Sequence, residues 1–526
     1  MSKSNTNSIL VLFTLLFFQL SIAQEGVLDL NFGDQGTTRF AYTDKGARAM
    51  DMILLEDNSI ILGINSELRQ NGATYNRGFY IYKLTQDGEI DTTFGQNGQL
   101  YFPNNGTNSS YFNSMLLQFD GKILIMGSIE GEGKLIRIDQ NGVFDPSFGI
   151  NGIQDMDSGY RIAQQFTGKI IVQSQYFDGY NNMYRFSRRN TDGSLDTTFG
   201  NNGIQITDVT NYRFDLCFAI KIDWEDKILA GGPSYNNGDD YHPVITRFNE
   251  NGTLDTSFGN NGTVITTFGP ESNLGEVDDI AILGDKIILG GNYQYYGGTG
   301  GFGGIKPAVA KFNNDGTLDQ TFGQGGKVIM DTYFEANDYL RSIAVQRDGK
   351  ILLGGGASMP YPFEQTNFFV IKLNNDGSIY SDFGDSGIFI TDFGGSDTNY
   401  VTDLVLQTDN KVLAFGVTED ANDEHRNAIV CRLDNEFLGI PDLLADNDIQ
   451  VYPNPTKGYV KIKSKYPIKK LEIYNFLGQL LASKLYNNTT LEKEFDINKF
   501  QNGIYTLLIF SEGERVFSKS IIKRSN

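Results

Sequence analysis

Apolar and polar residues alternate with a period of two along much of the chain. FYIYKL, MYRFSR, VITRF, AVAKF, FFVIKL, LIRID and AIVCRL follow this pattern or form short apolar runs between turns. Both are signs of half-buried strands. Amphipathic helical periodicity is not evident in the same region. A second recurring pattern puts a tight polar turn before an apolar run: DNSIILG, DGKILIMG, TGKIIVQ, EDKILAGG, GDKIILGG, DGKILLGGG and DNKVLAFG. A third occurs seven times, as LDLNFGDQG, IDTTFGQNG, FDPSFGING, LDTTFGNNG, LDTSFGNNG, LDQTFGQGG and IYSDFGDSG. Its phenylalanines are Phe32, Phe94, Phe148, Phe199, Phe258, Phe322 and Phe383, at intervals of 62, 54, 51, 59, 64 and 61 residues. A period of this length signals repeated supersecondary units.

Each unit holds about four strands. We assign the first to the run after the FG motif (TTRFAY, QLYF, IQIT, TVITTF, KVIM, IFIT). The second precedes the polar turn, the third follows it, and the fourth leads to the next FG motif. Seven such antiparallel units predict an all-β fold: a seven-bladed β-propeller, followed by a small C-terminal β-sandwich. Ring closure leaves few exposed strand edges. A parallel β-helix is the alternative, although its rungs are usually shorter. Within the motif, Gly95 and Gly98 exemplify glycines that permit positive φ, and the phenylalanine fills the gap between sheets. Asp29, Asp91, Asp145, Asp196, Asp255 and Asp319 stand three residues before it. Their carboxylates suit backbone N–H groups of a turn. Tyr380 replaces the Asp in the seventh motif, so that turn needs another partner. Calcium binding is the alternative role, but the spacing is not that of a calcium loop.

The motif, D-G-x-[LI]-D-x-[ST]-F-G-x-x-G, resembles the delta-60 repeat of bacterial surface and secreted proteins over about residues 25–438. The resemblance implies a propeller-like fold and brings no catalytic residue with it.

Successive connections of an up-and-down blade alternate between faces. The polar turns and FG turns therefore share one face, and the longer, varied loops share the other. Tyr176, Tyr180, Tyr184, Tyr235, Tyr241, Tyr293, Tyr295, Tyr296 and Tyr361 fall in or beside these loops and make that face the candidate ligand face. Tyrosine among Asn, Asp and Gly suits recognition, for instance of sugar rings. Plain surface filling is the competing reading.

The two ends differ from the repeats. Lys3, the apolar run Ile9–Ala23 and the small residues Ser21 and Ala23 read as a secretory signal over 1–23. The expected propeller then spans 24–438, a linker 439–447 and a C-terminal domain 448–526. This last part carries Tyr452-Pro453-Asn454-Pro455, Gly458, Gly478, Asn502-Gly503-Ile504-Tyr505 and Lys523-Arg524. In order and spacing it closely resembles the type A C-terminal sorting domain of the type IX secretion system. The resemblance implies a Bacteroidetes-type cell, the type IX machinery as partner, removal of the domain during export, and attachment of the passenger to surface lipopolysaccharide. An ordinary adhesion-like sandwich is the alternative. Lys461, Lys463, Lys465, Lys469 and Lys470 read as a solvated strand face or as a contact with the anionic translocation machinery.

Charge sharpens the division. The 526 residues include 43 Lys+Arg and 64 Asp+Glu, a net of -21. Residues 451–526 hold 13 basic and 6 acidic residues, a net of +7, which leaves -28 for the rest. So acidic a passenger argues against nucleic acid, whose binding needs Lys/Arg. Two cysteines, Cys217 and Cys431, exclude a disulfide scaffold and read as buried thiols or one long-range bridge. The two histidines, His242 and His425, form no metal-spaced pair. Nucleophile-elbow, zinc-protease and phosphate-loop motifs do not appear. No catalytic residue, metal or cofactor is assigned. Three roles stay open: a non-catalytic recognition module for a glycan or protein, a carbohydrate-active enzyme with paired carboxylates at the propeller mouth, and a structural surface protein.

Overall fold

The computed structural model describes residues 25–42, 46–70, 73–104, 108–235, 241–269, 275–296, 302–330, 337–358, 365–393, 398–419, 426–435, 449–475, 480–511 and 515–524. The expected signal segment 1–23, the linker 439–447, Tyr361, His425 and Gly478 lie outside the described residues, as does the side chain of Tyr296.

The described secondary structure is entirely strand. Between Thr37 and Leu433 the strands form five four-stranded sheets and one nine-stranded sheet. The larger sheet is two four-stranded units joined through the two-residue strand Phe214–Asp215. Each unit runs antiparallel from an inner to an outer strand. In the first these are Gly46–Leu54, Ile60–Gln70, Ala73–Leu84 and Gln99–Pro103. The inner strand of each unit touches the inner strand of the next, and Tyr400–Leu406 returns to Gly46–Leu54.

This topology corrects the strand order expected from the repeat. The run after an FG motif is the outer strand of the preceding sheet, not the first strand of the next one. Gln99–Pro103 pairs with Ala73–Leu84. Likewise Thr37–Phe40, near the start of the chain, pairs with Arg426–Leu433 near the end and completes the last sheet. The FG motif is therefore a turn between third and outer strands. It still shares a face with the polar turns, because one connection lies between them in either assignment.

The reason lies in how the motif is used. All seven motif phenylalanines are 0% exposed. One sits in each of the seven apolar clusters between neighbouring sheets. The glycine after each phenylalanine donates its N–H to a carbonyl of the next unit, as in Gly149 to Asp192 (2.8 Å) and Gly200 to Asn251 (2.9 Å). The series ends with Gly384 donating to Glu25 (2.8 Å), which closes the ring at its first described residue. Gly193 has φ +88, and a Cβ there would lie 2.8 Å from the Phe148 ring. The D-G of one repeat is thus shaped to receive the phenylalanine of the one before.

The motif aspartates bind their turns as expected: Asp255 Oδ1 accepts from Ser257 N (3.1 Å) and Oγ (2.6 Å). They also do something the sequence reading missed. In five of the six the other oxygen holds a cation from the third strand, and Asp319 takes Lys286 of the second. Arg247 Nε meets Asp255 at 2.8 Å, places its guanidinium 4.6 Å from the Phe258 ring, and donates across the seam to Asn314 O (2.6 Å). Arg188 with Asp196 and Arg432 with Asp29 repeat the arrangement. In the seventh motif Lys372 takes Glu25 as its counter-charge, and Tyr380 Oη donates to Glu25 (3.4 Å).

Ile449–Tyr452, Tyr459–Tyr474, Leu480–Asp496, Gly503–Ser511 and Arg515–Lys523 form a separate five-stranded sheet with its own core, including Ile462, Leu471, Phe495, Leu507 and Phe517. Lys461, Lys463, Lys465 and Lys469 are exposed while Ile462, Ser464 and Ile468 are buried, so the lysines occupy a solvated face.

Candidate functional site

On the loop face the clearest geometry spans the third and fourth units. Strands Ile170–Phe177 and Asn182–Arg189 are joined by a tight turn. Asp178 Oδ1 accepts Tyr180 N (2.7 Å) and Asn181 N (2.6 Å), which leaves the Tyr180 ring 59% exposed. The connection to the next unit passes beside it. Asp215, fully buried, anchors this segment by accepting from Val209 N (2.9 Å), Thr210 Oγ1 (2.6 Å) and Ser234 Oγ (2.5 Å). Burial pushes its carboxyl pKa up against these hydrogen bonds. The anchor fixes Phe214 between Asn182 and Tyr235 of the adjacent strands.

The result is a row of flat groups. The Arg213 guanidinium lies 5.0 Å from the Tyr180 ring and 5.1 Å from the Phe214 ring. Phe214 stacks on Tyr235 at 4.7 Å and 19°, and Tyr235 meets Tyr241 at 4.5 Å. Tyr212 and His242 lie 5.7 Å apart beside it. Tyr176 and Phe177 add exposed rings, 40% and 58% accessible. A row of half-exposed rings, hydroxyls and one cation offers apolar faces and hydrogen bonds together.

Not every expected tyrosine joins it. Tyr184 is 1% exposed, donating to Leu216 O (3.2 Å), and so belongs to the core. Tyr293 is 8% exposed and packs in another seam. Both alternate inward along their strands, which a loop-based reading overlooked. Tyr295 is half-buried near Lys306 and stacks on Tyr293 at 6.3 Å. Sequence reasoning missed Tyr212, Arg213 and Phe214. NYRFD lies in one of the connections assigned to this same face, so scanning those connections for rings would have found them.

The axis was the other candidate. Inner strands carry Asp51, Asp279 and Asp403, and all three accept a neighbouring sheet's backbone N–H. Asp51 takes Met115 N (2.7 Å), Asp279 takes Ile343 N (3.0 Å) and Asp403 takes Met52 N (2.9 Å). Ser342 Oγ lies 3.3 Å from both Asp279 and Asp403. Asn113 and Arg161 reach Gly159 O (2.6 Å) and Phe218 O (2.8 Å), and Lys221 lies 3.9 Å from Asp279. Desolvation raises the pKa of Asp51. It raises that of Asp403 further, with the Asp51 and Asp279 charges adding to it. The belt joins sheet to sheet around the axis.

Cys217 and Cys431 are both buried and unpaired, and burial pushes the Cys217 thiol up to about 12. Among the described residues no group of three or more His, Cys, Asp or Glu is placed to hold a metal ion.

In the C-terminal sheet the expected motif residues tie its two ends together. Asn454 Oδ1 accepts Ile522 N (2.7 Å), and Thr456 N donates to Ile522 O (2.8 Å). Gly458 lies so close to Asn498 that a Cβ would meet Oδ1 at 1.8 Å. Tyr505 Oη donates to Gln501 O (2.8 Å), and Lys523 Nζ donates to Asn498 O (2.6 Å). Tyr452 remains 43% exposed. Residues 450–523 match the family model described as "Secretion system C-terminal sorting domain". Residues 118–148, 226–258, 285–322 and 346–383 match the model described as "Domain of unknown function (DUF5122) beta-propeller". The chain is a β-propeller protein with a secretion sorting tail. The tail directs it through the type IX secretion machinery to the cell surface or extracellular space.

Among solved structures, Drosophila Semaphorin 2a is similar at 10% identity over 93% of this chain and 98% of that one, with a TM-score of 0.45. The polysaccharide lyase Uly1 is similar at 9% identity over 76% and 93%, with a TM-score of 0.42. No curated protein sequence matches.

Proposed function

We propose that this is a non-catalytic recognition protein of the cell exterior. Its ligand lies on the Tyr180–Arg213–Phe214–Tyr235–Tyr241 row and is a glycan whose sugar rings stack on the tyrosines. The stacked, half-exposed row beside an arginine carries this reading. Asp215 supports it, because a fully buried anchor pre-forms the surface and reduces the ordering cost of binding. The axis carboxylates give the carbohydrate-active enzyme reading less support, since their oxygens are engaged by backbone N–H groups. In the same proposal, seven four-stranded units are the blades of one propeller spanning 24–438, residues 1–23 are a cleaved signal, and the tail is a small sandwich. The mature passenger is held at the surface through lipopolysaccharide.

The test is a glycan-array screen of the exported protein, with reducing-sugar release assayed on every hit. Hits without turnover are expected. Arg213→Ala and Tyr235→Ala should each weaken binding about tenfold or more, the scale of a central aromatic or arginine contact. Sugar release on the hits would replace the binder with an enzyme. Unchanged affinity in both variants would move the site elsewhere.

A further inference from the structure

In six of the seven units the polar turn between first and second strands follows one template, seen in Gln118-Phe119-Asp120-Gly121-Lys122, while the fifth has the shorter Gly284-Asp285 turn. Its second position is the first central residue of the turn, where Gly121 N donates back to Gln118 O (2.9 Å). In the first, sixth and seventh units it holds Glu56, Arg347 and Thr408, as suits a solvated turn. In the second, third and fourth units it holds Phe119, Phe166 and Trp224. The rings of these three consecutive aromatics belong to none of the apolar clusters between neighbouring sheets.

The structure shows what covers them. Phe166 is 7% exposed and belongs to the apolar core of the sorting domain, with Phe119 packed against that core. Phe119 stacks on Phe166 at 5.7 Å, and Phe166 meets Phe500 edge-on at 5.7 Å. Lys499 lies 4.7 Å from the Trp224 ring and donates to Trp224 O (2.8 Å). Asp223, Glu225 and Asp226 surround it with negative charge. Gln501 presses against Gly168, where a Cβ would lie 2.0 Å from its Nε2. The turns are themselves fixed: Phe166 N donates to Asp226 and Gln165 Nε2 donates to Asp226 O (2.8 Å). Arg347 of the sixth unit stands 5.3 Å from the Tyr474 ring.

We propose that this face of the propeller is a built seat for the chain's own sorting domain. Lys499-Phe500-Gln501 is the docking segment, and Phe119, Phe166 and Trp224 are the receiving surface. The tail, at +7, meets a passenger at -28, so charge favours the same arrangement. Docking occupies the turn face and leaves the loop face free. Passenger and tail therefore meet the secretion machinery as one body, and removal of the tail uncovers an aromatic surface.

Trp224 is the single tryptophan of the chain and reports directly on its own cover. The experiment measures its emission and its quenching by acrylamide in the full-length protein. Parent, Phe166→Ser and Lys499→Glu are compared, and the parent is measured again after a protease site placed within 439–447 is cut and the tail removed. Phe166→Ser alters the seat without touching Trp224, so its effect reports undocking rather than a local change. Circular dichroism confirms that each variant is folded. Both substitutions and tail removal should shift the emission to longer wavelength and raise quenching to a common level. Emission and quenching unchanged by Phe166→Ser and by tail removal would overturn the proposal.

Discussion

Arg247 carries a full charge on a side chain only 3% exposed, and Asp255 is its counter-charge. Asp255→Ala should strand that charge and lower stability by about 3–5 kcal/mol, the cost of breaking a buried pair from one side. A drop in the urea unfolding midpoint checks it. The same residues set a response to acid. Burial alone would raise the Asp29 carboxyl, but the Lys411 ammonium, the Asn31 N–H and the Arg432 guanidinium outweigh it and hold it at about 2. Asp145, Asp196 and Asp255 are lowered in the same way. A carboxylate lowered in the folded state adds stability above its ordinary value of 3.8 and loses it as the pH falls toward 2. The thermal midpoint should therefore fall steeply below about pH 4. Equal midpoints at pH 6 and pH 3 would contradict this. The aspartates were visible in the sequence from their spacing. Their cations were not, because Arg247 or Arg188 on an alternating strand looks like any solvated residue until the next sheet covers it.

At the scale of the element, one phenylalanine per seam carries much of the packing between sheets. Phe148→Ala should cost about 3–5 kcal/mol through lost burial and the cavity left behind. Gly193→Ala should also destabilise, because its φ is +88 and the Phe148 ring occupies the space a methyl group needs. Parallel unfolding curves of the two variants check both. Four strands per repeat were legible from period-two alternation. The order of strands within a sheet was not, because the same run pairs equally well as a first or a last strand. The partner decides, and for Gln99–Pro103 it is Ala73–Leu84. The loop face was found by parity alone, which does not depend on that order.

The whole molecule depends on joining its two ends. Thr37–Phe40 fills the edge of the last sheet, and Glu25 neutralises Lys372. Deleting residues 25–40 should leave Arg426–Leu433 as an open edge, remove the Phe32 wedge and yield an aggregating protein. A monomer that elutes and melts like the parent would contradict this. A point change, Glu25→Gln, should give a smaller loss confined to stability, since it keeps the backbone acceptor for Gly384.

By itself the sequence determined the repeat, its all-β character, the phenylalanine wedges, the acidic passenger and the sorting tail. Each of these is written in local spacing or composition. Tertiary structure decided which strand closes which sheet, which tyrosines face water, which cation answers each aspartate, and what covers Phe119, Phe166 and Trp224. Those depend on pairs of residues as distant as Asp29 and Arg432 or Trp224 and Lys499. No periodicity along the chain encodes which of many chemically similar partners a folded ring brings into contact.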